Sequence, residues 1–358
     1  MMKILVIALS GIGDALMFSP ALRLLRERYP DAHIDLLTMF KGVQELYARN
    51  PDLSNIYFYD FLHRFPLRSF MYAVSLRRHR YNVSINVYPQ NRWPYNVISF
   101  LIGARLRLGH DYDHASVRSL NFLNNRRVHE EQLAHNVEEN VRLVELVGIQ
   151  RPADLPPLHV HLTEDDKQLA EDWLHDHRLV DRSPIVGFHA GSALFKNHVR
   201  RRWAPHKFAQ LGERLLGEYG AALLLFGGPD EYGLNDEINR LMHGRAFVVK
   251  STSLPASVAL MSRCSLFVSN DSGLLHLAAG LQLPIVAIFA YTNPNWVRPW
   301  KAPHVLVRHE MECSPCFYYS PRPARCVWNE DQFRCIEHIE VDEIWEAVKE
   351  MMQRTRAN

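Results

Sequence analysis

The sequence predicts an α/β protein built from two doubly wound, Rossmann-like domains facing each other across a cleft. Three observations carry that prediction. Apolar runs of strand length alternate with amphipathic helical segments in both halves of the 358-residue chain, the pattern of parallel sheets covered by helices on both faces. A proline-rich break, Arg151-Pro152-Ala153-Asp154-Leu155-Pro156-Pro157, separates the halves as a linker would. The turns after several strands are rich in Gly, Ser, Asp and His, and in such sheets ligands sit beyond the C-terminal strand ends.

In the first half, Lys3–Leu9 reads as a buried strand and Ala15–Arg28 as an amphipathic helix. His33–Met39, Asn55–Tyr59 and Asn82–Tyr88 are further strands, with helices at Val43–Arg49, Leu67–Arg78 and Leu133–Val147. In the second half, strands are expected at Pro184–His189, Ala221–Phe226, Ala246–Lys250, Ser265–Ser269 and Pro284–Phe289. Helices fill Pro205–Glu218, Glu231–His243 and Pro255–Ser262, and a final one covers Asp342–Gln353.

The stretch Leu266 to His276 is the most informative. Asn270, Asp271 and Ser272 are all good N-caps, so a helix is predicted to open near Ser272 and run to Gly280. Its first turn offers unpaired N–H groups and a partial positive charge, a ready phosphate site. His276 falls one turn in, on the same face as Ser272 and Gly273.

Three other turns complete the set. Ser10-Gly11-Ile12-Gly13-Asp14 puts a carboxylate at the start of a helix, either as its cap or as a catalytic group. It lacks the third glycine of a dinucleotide fingerprint, since position 16 is Leu. His189-Ala190-Gly191-Ser192 precedes Arg200-Arg201-Arg202, which are either a solvated loop or a neutralising surface for a diphosphate. Gly227-Gly228-Pro229-Asp230-Glu231 ends in acids suited to ribose hydroxyls or to helix capping. No Asp-x-Asp pair or His/carboxylate cluster is spaced to hold a catalytic Mg²⁺.

Composition is that of a soluble globular enzyme, with 47% hydrophobic and 22% charged residues. No apolar run approaches the roughly 18 residues of a membrane span. The N-terminal run is short and passes straight into Gly11-Ile12-Gly13, which argues against a signal peptide and for a cytoplasmic protein with reduced thiols. The net charge of +2 hides an asymmetry: Phe61–Val128 holds eleven Arg against Asp111 and Asp113. Arg grips phosphate and carboxylate bidentately, and no nucleic-acid recognition motif accompanies the charge. Within that stretch, Phe61–Arg80 combines Phe61, Phe65, Phe70 and Tyr72 with five Arg and no acid. It is either a helix packing its aromatics inward or a surface for an anionic membrane.

Cys313, Cys316, Cys326 and Cys335 lie in a Pro/Tyr/Arg-rich segment. Four thiols so placed suit a tetrahedral structural zinc site, with free thiols or redox disulfides as the alternatives. Cys264 is expected in the core.

In combination and order, the motifs resemble glycosyltransferase family 9, the lipopolysaccharide heptosyltransferases of GT-B fold. They are Gly11-Ile12-Gly13-Asp14 with Pro20-Ala21-Leu22, His189-Ala190-Gly191-Ser192, Arg201-Arg202-Trp203-Ala204-Pro205, Gly227-Gly228-Pro229-Asp230-Glu231, Asn270 to Ala278, and Pro284 to Phe289. The chain departs from the family pattern at Ala190, Ser272 and the residues before Gly11. The resemblance implies an inverting glycosyltransferase with Asp14 as general base. Arg201, Ser272, Gly273 and His276 would hold the diphosphate and Glu231 the ribose, within a nucleotide-sugar site that also takes in Gly13, Ser192 and Asp271. It implies an ADP-heptose or related donor, a lipid-linked glycan acceptor at the inner membrane face, and no cofactor for catalysis. It also implies an acceptor-binding domain over 1–160, a nucleotide-sugar domain over 161–338, and a last helix (339–358) packing back towards the first domain. A nucleotide-sugar 2-epimerase of the same fold, or a non-catalytic nucleotide-sugar binder, are the alternative functions.

Overall fold

The computed structural model describes residues 1–114, 116–251, 253–318 and 324–357. The chain forms two units, one ending at His161 and the other beginning at Leu162.

The first unit runs β1 (Lys3–Ala8), α1 (Ile12–Leu16), α2 (Ser19–Arg28), β2 (His33–Thr38), α3 (Lys41–Tyr47), β3 (Asn55–Phe58), α4 (Pro66–Ser75), β4 (Val83–Asn86), α5 (Trp93–Ile102), β5 (Leu106–Asp111), β6 (Arg126–His129) and α6 (Asn136–Glu145). Its six strands are ordered β3-β2-β1-β4-β5-β6, with every pairing parallel. β1 is central and almost wholly apolar, because a parallel sheet between helices buries both strand faces. Asp35, a carboxylate buried inside this sheet, accepts from Tyr81 Oη at 2.6 Å and Asn55 Nδ2 at 3.2 Å, as a buried charge requires.

The second unit continues α7 (Glu164–Asp176), β7 (Ile185–His189), α8 (Pro205–Tyr219), β8 (Ala222–Leu225), α9 (Tyr232–Leu241), β9 (Phe247–Val248), α10 (Leu254–Met261), β10 (Leu266–Asn270), α11 (Gly273–Gly280), β11 (Ile285–Phe289), α12 (Pro294–Val297), β12 (His304–Arg308), α13 (Arg334–Glu337) and α14 (Val341–Ala357). The order β12-β11-β10-β7-β8-β9, again all parallel, is the topology of the first sheet repeated. Both units are therefore doubly wound, and each has its switch point beside its first strand: β1/β4 in one, β7/β10 in the other.

Several expectations shift. The single helix over Ala15–Arg28 is two helices, with Pro20 in the first turn of the second, where a missing N–H costs nothing. The helix over Leu67–Arg78 ends at Ser75 and continues as a 3₁₀ turn, Leu76–His79. α5, α7, β5, β6 and β12 were not expected at all. The final helix lies within the second unit. Ile344, Trp345, Val348 and Met351 sit in the second unit's own core, with Trp345 against Tyr219 of α8. Trp203 Nε1 donates to Ile339 O just before that helix at 2.8 Å.

Candidate active site

In the second unit the loops after β7 and β10 emerge side by side, with His189 opposite Ser269 in the ladder. His189 is buried at the end of β7 and bridges two neighbouring turns. Its Nδ1 bonds Ser272 Oγ at 2.9 Å, and its Nε2 bonds Glu231 Oε2 at 3.1 Å. Ser272 Oγ also caps α11, accepting from Leu275 N at 3.4 Å. The Ser–His–Glu line has the composition of a nucleophilic triad, but the buried serine hydroxyl is committed to the helix cap, so the line positions the loop.

Glu231 is likewise committed. Its Oε2 accepts from Gly228 N at 3.1 Å, and Arg202 lies 3.5 Å from Oε1. Burial alone would raise its pKa, yet His189, the Gly228 N–H and Arg202 outweigh burial and hold the carboxyl below its ordinary range. A Cβ at position 191 would sit 1.7 Å from Glu231 Oε1, so only glycine lets this carboxylate reach His189.

The three consecutive arginines go three ways. Arg200 lies over the Phe333 ring. Arg201 Nη1 donates to Asp271 Oδ2 at 2.7 Å, both side chains nearly buried. Arg202 Nε donates to Ser192 Oγ at 3.1 Å. Ser192 Oγ in turn donates to His198 O at 2.9 Å, pinning the 3₁₀ segment Phe195–Arg201 that carries Arg201. Asn270 ties the parts together: its Nδ2 donates to Ala190 O at 2.7 Å, and its Oδ1 accepts from Trp203 N at 3.0 Å. The sequence showed Asn270 only as a candidate cap.

The result is a cradle at the start of α11. Gly273 and Leu274 lie in its first turn, where backbone N–H groups have no carbonyl partner within the helix. Arg201 Nε and His276 Nδ1 are buried without a partner among the described residues. Burial pushes the His276 pKa down to about 4, with Asp271 opposing and Arg201 reinforcing the shift. His276 is thus a neutral hydrogen-bonding group, and the positive charge comes from Arg201 and the helix end.

In the first unit, Gly11 is the N-cap of α1, and Asp14 falls in the first turn behind it, next to the buried Gly13. Asp14 therefore is not the helix cap. It lies at the β1/β4 switch point, within electrostatic reach of Tyr95 and Tyr112. Burial raises the Tyr95 phenol, with Arg92 opposing and the Asp14 charge adding a smaller push; burial raises Tyr112, with the Gln90 backbone opposing and Glu130, Glu139 and, least, Asp14 adding to it. The sequence did not single out Tyr95, Tyr112 or Arg92. Around the same strand ends, Ser10 Oγ, Gln90 Oε1 and Asn91 Oδ1 are buried and unpartnered among the described residues.

The structure thus gathers Ser192, Arg201, Glu231, Asp271, Ser272, Gly273 and His276 at one switch point, and places Gly13 and Asp14 at the other. It does not bring the cysteines into a ligand set. Among the described residues no group of three or more His, Cys, Asp or Glu is arranged to hold a metal ion. Each of three thiols has a separate use. Cys313 accepts from Trp328 Nε1 at 3.4 Å and Cys326 from Phe333 N at 3.3 Å. Cys335 is packed in the core, its pKa raised to about 12 by burial and then by the neighbouring cysteines. Cys264 is buried as expected, and burial raises its thiol further.

Comparison with known proteins agrees with this geometry. The family model for glycosyltransferase family 9 (heptosyltransferase) matches residues 70–324. Lipopolysaccharide heptosyltransferase 2 of Salmonella typhimurium is 29% identical over 312 residues, covering 83% of this chain and 85% of the relative. A family 9 glycosyltransferase structure from Veillonella parvula superposes with a TM-score of 0.79 at 20% identity, over 99% of this chain and 97% of that one. The E. coli ADP-heptose lipopolysaccharide heptosyltransferase II structure gives 0.76 at 23% identity, over 99% and 100%. These likenesses fix the fold as GT-B. With a family match spanning well over half of its length, the chain belongs to glycosyltransferase family 9 and is a transferase enzyme.

Proposed function

We propose that the protein transfers a heptose, with inversion, from an ADP-linked sugar to a lipopolysaccharide core or similar lipid-linked glycan. The observation that carries this reading is the cradle at the β7/β10 switch point: a helix N-terminus, a buried arginine held by Asp271, and unpartnered polar atoms on Arg201 and His276. Cleavage of the donor leaves negative charge on a departing diphosphate, and preorganised donors there stabilise charge where it develops. The Salmonella typhimurium and E. coli proteins named above are lipopolysaccharide heptosyltransferases, the latter an ADP-heptose enzyme, which supports the donor and acceptor classes.

In this reading the second unit binds the nucleotide sugar and the first the acceptor. Asp14 takes the proton from the acceptor hydroxyl as it attacks the anomeric carbon. The unpartnered oxygens of Ser10, Gln90 and Asn91 suit a hydroxyl-rich glycan. Glu231, held by His189 and the Gly228 N–H beside the Ser272 turn, takes the ribose hydroxyls. Among the described residues no helix is long and apolar enough to cross a membrane, and we place the enzyme peripherally on the inner face of the cytoplasmic membrane. The test is ADP release from ADP-heptose with and without a heptose-deficient lipopolysaccharide acceptor. Release only with acceptor supports transfer. Conversion of the donor to an epimer without acceptor, or binding without turnover, overturns it.

A further inference from the structure

Helix α4 is apolar on two opposite sides. Ala73, with Leu76 just beyond the helix, is buried, and the half-buried Tyr72 stacks on Tyr59 with ring centroids 4.0 Å apart. That side meets the core of the first unit. A turn away, Leu67, Phe70 and Met71 recur at the three- and four-residue spacing that aligns side chains on one helix face, and they point to solvent. With Leu62 and Phe65 just before the helix, these residues are between 49% and 70% exposed. An isolated exposed hydrophobe needs no explanation, but five on one short segment do.

The charge around them is one-sided. From Phe61 to His110 the sequence holds eight Arg and no carboxylate. Arg64 and Arg68 flank the apolar stripe, and both are exposed. The nearest preceding acid, Asp60, is taken up locally, accepting from the backbone of Leu62 and His63 and pairing with the His63 ring at 2.9 Å.

We propose that Leu62–Phe65 and the outer face of α4 dock on an anionic bilayer surface. Phe65, Leu67, Phe70 and Met71 enter the boundary between headgroups and acyl chains, while Arg64 and Arg68 bind lipid phosphates. A second copy of the chain fits this face poorly, because a two-fold contact would set the same uncompensated arginines against themselves. The proposal deepens the reading of a lipid-linked acceptor, but its test uses no sugar transfer, so the two fail separately.

The experiment is co-sedimentation of the full chain with phosphatidylcholine vesicles, with and without phosphatidylglycerol, alongside sedimentation velocity of the free protein. The expected result is a monomer that binds only the phosphatidylglycerol vesicles, and less so as salt rises. Phe65→Ser/Phe70→Ser and Arg64→Gln/Arg68→Gln should each weaken binding about tenfold or more. Both variants alter exposed side chains, so melting temperature and turnover on a soluble acceptor should not change. Equal binding to both vesicle types, no binding to either, unchanged binding of both variants, or self-association lost in Phe65→Ser/Phe70→Ser would each overturn the proposal.

Discussion

Replacing Arg201 should separate its structural role from its ligand-binding one. The guanidinium is 2.7 Å from Asp271, with side chains only 13% and 5% exposed. Arg201→Ala therefore leaves a buried carboxylate without its partner, a loss of about 3–5 kcal/mol. In the proposed role of Arg201 the same change also removes a charged hydrogen bond to the diphosphate, worth about 1.5–3 kcal/mol, or roughly tenfold to a hundredfold in affinity. Combining Arg201→Met with Asp271→Asn removes both charges together. Its stability should return to within about 1–2 kcal/mol of the native protein, while ADP binding stays weak. Urea unfolding gives the first quantity, and calorimetry with ADP and with adenosine gives the second. If the double variant binds ADP at native strength, or if ADP and adenosine weaken equally, Arg201 does not bind phosphate.

Two further outcomes follow from burial. His276 has a folded pKa near 4 against an ordinary 6.5, so between those values the unfolded chain binds the extra proton and stability falls as pH falls. The loss from this group approaches about 3 kcal/mol by pH 4; His276→Asn should lack it, and a difference in urea stability between the two proteins that is independent of pH would contradict the shift. Trp345 is packed in the core of the second unit against Tyr219, so Trp345→Ala should cost about 3–5 kcal/mol. A melting temperature unaffected by that change would mean α14 is not part of this core.

The sheets were legible because buried parallel strands read as runs of mostly apolar residues: β1 and β11 throughout their buried length, and β7 and β10 up to the polar residues at their C-terminal ends. The α11 start was equally clear, and Ser272 is its N-cap. The edge strands β3 and β9 were legible but β6 and β12 were not; β6 carries Arg126 and Arg127 exposed beside solvent, and half its residues look like loop. α5 escaped because Trp93–Ile102 is apolar nearly all round and has no polar face to mark its period. α7 did carry a signal, the capping box of Thr163 and Asp166, hidden behind the proline-rich linker.

At the site, residue types were readable but partners were not. Asp271 and Arg201 are 70 residues apart, and His189 meets Glu231 and Ser272 across 42 and 83 residues. Local spacing carries no information about such pairs, so the support that Glu231 gives His189 was not visible in the sequence. The orphaned oxygens of Gln90 and Asn91 follow a strand-end loop with no glycine signature, and only the fold exposes them as site groups.

Transfer needs a base for the acceptor hydroxyl, and Asp14→Asn tests that role directly. Asn keeps the shape of the side chain but accepts no proton at neutral pH. With ADP-heptose and a heptose-deficient lipopolysaccharide acceptor, the variant should keep its melting temperature and donor affinity. Its kcat should fall by roughly 10² to 10⁴, because proton removal belongs to the transition state. A variant that transfers heptose at the native rate would contradict the assignment of Asp14 as the base.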